Sequence, residues 1–303
     1  MASAPDAAPL VLPALHVDHV SIAVGAIAPA LDLLRRILPV RMGTEPCPGY
    51  DGQFVWADFF VGDRKIELIE SACAGSFVER FLARHGEGFH HLSIEVEDGR
   101  FDAYTAALEA RGLRIVDRGD YGGGNKTAFI SPRTAPGILV QFWQVPGFHG
   151  DRAAGRPAEP VTEHDGIRFR IDHLALAVRS IDDGLAWFRR SFPVEARPRE
   201  RGWDGTHDVL RFRLAGYALA LLEPRTEGGL VARHLARHGQ GFHHLAIDVD
   251  DLSRLLRRLA AEGLRVLDHA DPGGGRATAF VHPEDTHGLL LRFRQAPEIA
   301  HGG

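Results

Sequence analysis

The chain has 303 residues, 45% of them hydrophobic, which is enough for two domains of ordinary size, each with its own core. A formal net charge of −5, with both signs interspersed, leaves no basic footprint for nucleic acid. No apolar run approaches the roughly 18–20 residues that cross a bilayer, and the first residues lack a basic-then-apolar leader pattern. With only two cysteines, Cys47 and Cys73, no disulfide framework is expected either. These features point to a cytoplasmic protein with no membrane partner.

After a tail over 1–14, DHVSIAV (18–24) alternates with period two and reads as a strand. APALDLLRRIL (28–38) follows as a helix, then FVWADFFV (54–61) and RKIELIE (64–70) as strands. HHLSIEV (90–96) starts the pattern again: strand, then a helix over 99–112, then the strands KTAFIS (126–131) and GILVQFWQ (137–144). A stretch rich in Pro, Gly and charge, 147–168, reads as a linker. The pattern then recurs over 169–296, ahead of a tail over 297–303. RIDHLALAV (170–178) matches HVDHVSIAV (16–24), and HLARHGQGFHHLAIDVDD (234–251) matches FLARHGEGFHHLSIEVED (81–98). PGGGRATAFVHP (272–283) matches YGGGNKTAFISP (121–132), and GLLLRFRQ (288–295) matches GILVQFWQ. The unit of one strand, one helix and about three strands therefore occurs four times.

Alternation assigns the faces. His19 shares a face with Ser21 and Ala23, while Val20, Ile22 and Val24 turn the other way, under a helix. His91 lies with Ser93 and Glu95, Glu67 with Lys65 and Ile69, and Gln141 with Leu139 and Trp143. A single histidine on a strand reads as a packing residue. Two imidazoles, a carboxylate and an amide oxygen at equivalent places of two repeated units make a shell for a divalent first-row metal.

The stretches DHVSIAV, KIELIE, GEGFHHLSIEVED, KTAFISP and GILVQFW resemble the vicinal oxygen chelate superfamily, which includes glyoxalase I, methylmalonyl-CoA epimerase, fosfomycin-resistance proteins and extradiol dioxygenases. The likeness to the epimerase covers nearly all of 15–146 and, weakened, 169–296. It implies an α+β fold of four βαβββ modules, paired into two domains with cupped mixed sheets. It also implies one divalent ion (Co, Ni, Mn, Zn or Fe) held by His19, Glu67, His91 and Gln141. The carboxylate and the amide are exchanged relative to the epimerase pattern, in which the amide comes second and the carboxylate last.

In the second copy His173 and His244 remain, but Ala220 and Arg292 stand where Glu67 and Gln141 stand in the first. Alanine offers no donor and arginine is a permanent cation. The second domain is therefore expected to lack the metal and to act as a built-in partner, in a monomer that is a pseudo-dimer, or in a homodimer. Arg292 either binds an anion or makes a structural ion pair.

The activity implied is that of a metal-dependent epimerase, which inverts a carbon next to a carbonyl through an enolate. Its small-molecule substrate would be an acyl thioester, a keto-sugar or a cyclic polyol ketone. Glu67 is then ligand and candidate base. Asp51, in a turn where the epimerase pattern has a glutamate, is the candidate second acid/base. Lys126 matches a recurring family lysine and either neutralises a substrate anion or lies on the surface. An Fe(II) dioxygenase of the extradiol or hydroxyphenylpyruvate type, a glyoxalase-like lyase and a drug-binding resistance protein are the competing readings.

Overall fold

The computed structural model describes residues 13–147, 159–269 and 277–301. The first domain opens with β1 (Leu15–Ala23), α1 (Ile27–Ile37), β2 (Arg41–Pro48), β3 (Phe54–Val61) and β4 (Arg64–Ser71). Helix α2 (Phe77–His85) leads into β5 (Gly88–Val96), α3 (Phe101–Ala110), β6 (Ile115–Asp120), β7 (Lys126–Ile130) and β8 (Leu139–Gln144). All eight strands form one sheet in the order β2-β3-β4-β1-β5-β8-β7-β6. β4 runs parallel to β1, β8 runs parallel to β5, and β1 meets β5 antiparallel at the centre. The two βαβββ modules are thus related by a pseudo-twofold axis at the β1–β5 seam.

The second domain repeats this path. β9 (Thr162–His164) pairs with β10 (Ile167–Ala177), which is followed by α4 (Ile181–Ser191), β11 (Val194–Ala196), β12 (Glu200–Arg201), β13 (His207–Leu214) and β14 (Tyr217–Pro224). α5 (Leu230–His238), β15 (Gly241–Val249), α6 (Leu252–Ala261), β16 (Val266–His269), β17 (Thr278–Val281) and β18 (Leu291–Gln295) complete it. Its main path, β11-β13-β14-β10-β15-β18-β17-β16, mirrors that of the first sheet. The second sheet begins at Thr162, inside the stretch that composition reads as linker, because the alternation of IRFRIDH extends β10 upstream to Ile167. The run at 272–276 lies outside the described residues. No helix of the described residues is long and apolar enough to cross a membrane.

Apolar side chains spaced three and four apart, Ile27, Leu31, Leu34 and Ile37, turn one face of α1 into the core. They cover Val20, Ile22 and Val24 of the first domain, all at most 1% exposed. Besides a smaller separate cluster in each domain, most buried apolar residues of both domains merge into one cluster. Within it, the Tyr104 hydroxyl donates to the Ser191 carbonyl at 3.0 Å. Contacts between the halves are reciprocal, as in an isologous dimer. The backbone at Gly88 approaches Gly288, and Gly241 approaches Gly137. The Phe89 and Phe242 rings sit 5.5 Å apart between these contacts.

Gly288 has φ +78°, and a Cβ there would fall 1.7 Å from the Glu87 carbonyl oxygen. Gly288→Ala is expected to lower the unfolding free energy by about 2 kcal/mol or more, read by urea denaturation. A loss below about 0.5 kcal/mol would show that the halves do not press together at this point.

Candidate metal centre

His19 on β1, Glu67 on β4, His91 on β5 and Gln141 on β8 come from the four central strands of the first sheet. The pairing register sets Ser21 opposite both Glu67 and His91, and Ser93 opposite both His19 and Gln141. The four side chains therefore rise from one small area of the concave face. Glu67 Oε2 lies 3.4 Å from His19 Nε2 and 3.9 Å from His91 Nε2. Gln141 Oε1 lies 3.2 Å from His91 Nε2 and accepts a hydrogen bond from Ser93 Oγ at 2.7 Å. Donors about 2.1 Å from a shared ion stand roughly 3.0–3.4 Å apart when adjacent and up to about 4.2 Å when opposite, so this spacing could converge on one metal. His19 Nε2 is buried and faces the Glu67 carboxylate.

Burial alone would lower the His19 pKa, but the Glu67 carboxylate and the bond to Asp18 outweigh it and raise it to about 9. Burial would likewise raise that of Glu67, but charge and hydrogen bonding from His19, with His91 beyond, hold it near 2. Without metal, the pocket thus contains a protonated His19 against an ionised Glu67.

A second layer holds the donors. Asp18 Oδ2 accepts from His19 Nδ1 at 2.7 Å, and Lys65 Nζ donates to the same carboxylate oxygen at 2.8 Å. The Nδ1 atoms of His90 and His91 are 2.8 Å apart, and burial pushes the His90 pKa down to about 4, which keeps that ring neutral. Strict alternation would send Asp18 and His90 to the opposite face. Register shifts in the β1–β5 pair, at Val17/His19 and Ser21/Ile22, bring these consecutive residues into the site together. The signal that pattern reading passes over is the doublet itself: Asp-His at 18–19 and 172–173, His-His at 90–91 and 243–244.

Above the donors lies a cavity of about 860 Å³. Trp56, Phe77, Phe81, Phe129 and Trp143 give it aromatic walls, and α2 closes one side with Arg80, Arg84 and His85 near the mouth. Asp51 also lines this cavity, at its exposed rim. Its Oδ1 accepts from the Gln53 amide at 3.0 Å, so it shapes the turn as well. Lys126 does not line the cavity: on β7 it is out of phase with Thr127 and Phe129, which do. It pairs with Asp102 of α3 on the helix-bearing side and stands 4.0 Å from Asp120, so it is a surface ion pair rather than a group facing the substrate space.

In the second domain, Ala220 takes the register position of Glu67, and Arg292 that of Gln141. The His173 and His244 rings remain 5.7 Å apart. Between them and solvent, Trp203 fills the cup. Its ring is 4.2 Å from that of His207, 5.6 Å from that of His244 and 5.5 Å from that of Phe280. The matching residue in GYDGQF of the first domain, Tyr50, is instead 66% exposed and stacks on Tyr121 at the rim. Only about 190 Å³ of cavity is left in the second domain at this place.

The sequence profile of the Glyoxalase/Bleomycin resistance protein/Dioxygenase superfamily matches residues 18–130 and 172–280. The uncharacterized protein YqjC of Bacillus subtilis is 30% identical over 126 residues, 41% of this chain and 90% of that protein. The ethylmalonyl-CoA/methylmalonyl-CoA epimerase of Cereibacter sphaeroides is 29% identical over 130 residues, 42% of this chain and 97% of the epimerase. The epimerase likeness falls in the first domain. A mutant 4-hydroxymandelate synthase from Streptomyces coelicolor shares the fold of the whole chain, with TM-score 0.61 over 94% of this chain and 93% of its own at 18% identity.

Metal analysis of the purified protein should find about one divalent ion per chain. Glu67→Ala should remove it, and His173→Ala should leave it in place; a count near two would place an ion in the second domain as well. Binding must also expel the His19 proton. Affinity is therefore expected to rise about tenfold per pH unit from neutral pH and to level off near the His19 pKa of about 9, with about one proton released at neutral pH by calorimetry in two buffers. A pH-independent affinity would remove His19 from the ligand set.

Proposed function

The chain belongs to the glyoxalase/bleomycin resistance protein/dioxygenase superfamily, and from that premise we propose that its first domain is a divalent-metal-dependent epimerase acting on a carbon next to a carbonyl. The observation that carries this reading is a buried, ionised carboxylate, Glu67, set between two histidines beneath an aromatic cavity. The relationship to the Cereibacter sphaeroides epimerase supports it.

When bound, a divalent ion supplies a Lewis acid that stabilises negative charge on a substrate oxygen. His19, Glu67, His91 and Gln141 would hold it, with Asp18 and His90 fixing the orientation of the two rings. Glu67 would take the α-proton from one face of the carbon onto a carboxylate oxygen. Asp51, at the exposed rim of the cavity, is the group proposed to deliver a proton to the other face. Aromatic walls exclude water from the reacting carbon. Arg80 and Arg84, rather than Lys126, supply positive charge for an anionic substrate tail. An acyl thioester fits this cavity, as does a cyclic or sugar ketone.

The second domain, in this proposal, binds no metal and stands where a second subunit would pack, so a monomer suffices. Two free cysteines suit a reducing, cytoplasmic setting.

One observation favours a second reading. Gln141 Oε1 is already engaged by Ser93, which leaves His19, Glu67 and His91 as a three-residue set of the kind Fe(II) oxygenases use. The two readings separate in one experiment. With methylmalonyl-CoA or a ketone substrate in D₂O, the epimerase washes deuterium into the α-carbon, seen by NMR, with no oxygen uptake. Glu67→Gln should slow this exchange by about a hundredfold or more. Fe(II)-dependent oxygen consumption without wash-in would favour the oxygenase and reject the epimerase.

A further inference from the structure

We propose that the second domain binds a small oxyanion, such as phosphate or sulfate, at Arg292, in the place where the first domain holds its metal ligands. Arg292 rises from β18 opposite Ala246, the register position that Gln141 occupies opposite Ser93. It is 5% exposed. Among the described residues it forms no ion pair, and its hydrogen bonding comes to one long contact, from Nη2 to Thr278 Oγ1 at 3.4 Å. Its Nε is buried with no partner. A buried cation left without a counter-charge is costly, and an anion removes that cost.

The surroundings are shaped for such a guest. The Arg292 guanidinium lies 4.0 Å over the Trp203 ring, which fixes its plane and leaves its edge donors free. A cavity of about 190 Å³ opens against it, lined by Arg201, Arg211, Arg294, Trp203 and Val209. At about 30 Å³ per water, that space holds a few waters or one phosphate-sized ion, and it is far too small for a nucleotide.

The three other arginines already have carboxylates: Arg294 pairs with Asp248 at 2.7 Å, Arg211 with Glu200 at 2.7 Å, and Arg201 approaches Asp208 at 3.8 Å. Asp172 and Asp248 act on the Arg292 charge from a distance, but among the described residues no carboxylate is in contact with it. Burial first, then the facing Arg294 and Arg211, push the Arg292 pKa down to about 9, against the opposing pull of Asp172 and Asp248. Planar, forked donors suit an oxyanion better than a halide.

The test uses the full-length protein at constant ionic strength, with phosphate, sulfate or acetate replacing chloride. A saturable rise in unfolding temperature is expected, about 2–4 °C at ten times Kd for phosphate. A response to phosphate and sulfate alone marks a tetrahedral guest, and a response shared by acetate marks a carboxylate group; either supports the proposal. Arg292→Met should abolish the saturable part while leaving the metal content of the first domain unchanged, so failure here is distinct from failure of the epimerase reading. No saturable rise, or one that survives in Arg292→Met, overturns the proposal. If Arg292→Met does not fold, ³¹P line broadening of phosphate by the wild type decides: relief by equimolar sulfate but not by chloride supports the site, and no broadening overturns it.

Discussion

The antiparallel pairing of β1 with β5 is the constraint on which the rest depends. It lies at the centre of the first sheet, places the pseudo-twofold axis, and carries His19 and His91 across the seam from each other. Its two register shifts turn Asp18 and His90 inward beside those histidines, so each donor ring is gripped from behind by its own chain neighbour. The parallel partners β4 and β8 then bring Glu67 and Gln141 in from either side. With the outward face covered by α1 and α3 over an apolar core, the polar residues have only the concave face to occupy. A carboxylate and a protonated imidazole, both buried there, stabilise each other's charged forms, which is why Glu67 stays ionised in a place that would otherwise neutralise it.

Much of this was legible in the residues. Period-two alternation places Glu67 with Lys65 and Ile69, and all three line the cavity. The helical spacing of Ile27, Leu31 and Leu34 assigns α1 to the other face. Legibility ends where geometry departs from the simple period. A bulge adds a residue to one strand and resets the faces, so Asp18 and His90 are invisible to an alternation argument. Helix α2, which walls the cavity, carries a modest apolar stripe of Phe77, Phe81 and Leu82, and nothing in that pattern says which face of the sheet it covers. Lys126 shows the opposite hazard: a residue matched by motif can lie one position out of phase and meet Asp102 instead of a ligand. Composition likewise places the start of the second sheet too late, because Pro and charge at 159–163 mask the short pairing of β9.

The two copies line one scaffold in two ways. The strands, the bulges and both histidine doublets persist in the second domain, where the His243 and His244 Nδ1 atoms again stand 2.8 Å apart. Three side chains carry much of the divergence. Ala220 removes the acid, Arg292 reverses the charge, and Trp203 fills the volume left behind. These changes support one another. A cation in the cup excludes a second cation by Coulomb repulsion, and an indole face is a good surface for a guanidinium to lie on.

The contacts between the halves are reciprocal, although the two cups differ. Gly88 meets Gly288 where Gly241 meets Gly137, so each domain presents the same surface to the other. In a symmetric dimer of identical subunits, any substitution at one site appears at both. Joining two copies in one chain removes that coupling. The second cup is then free to carry Ala220 and Arg292 where the first carries Glu67 and Gln141. The shared core makes the second domain part of the structure that holds β1 and β5 in register, and so a contributor to the first site even without touching it.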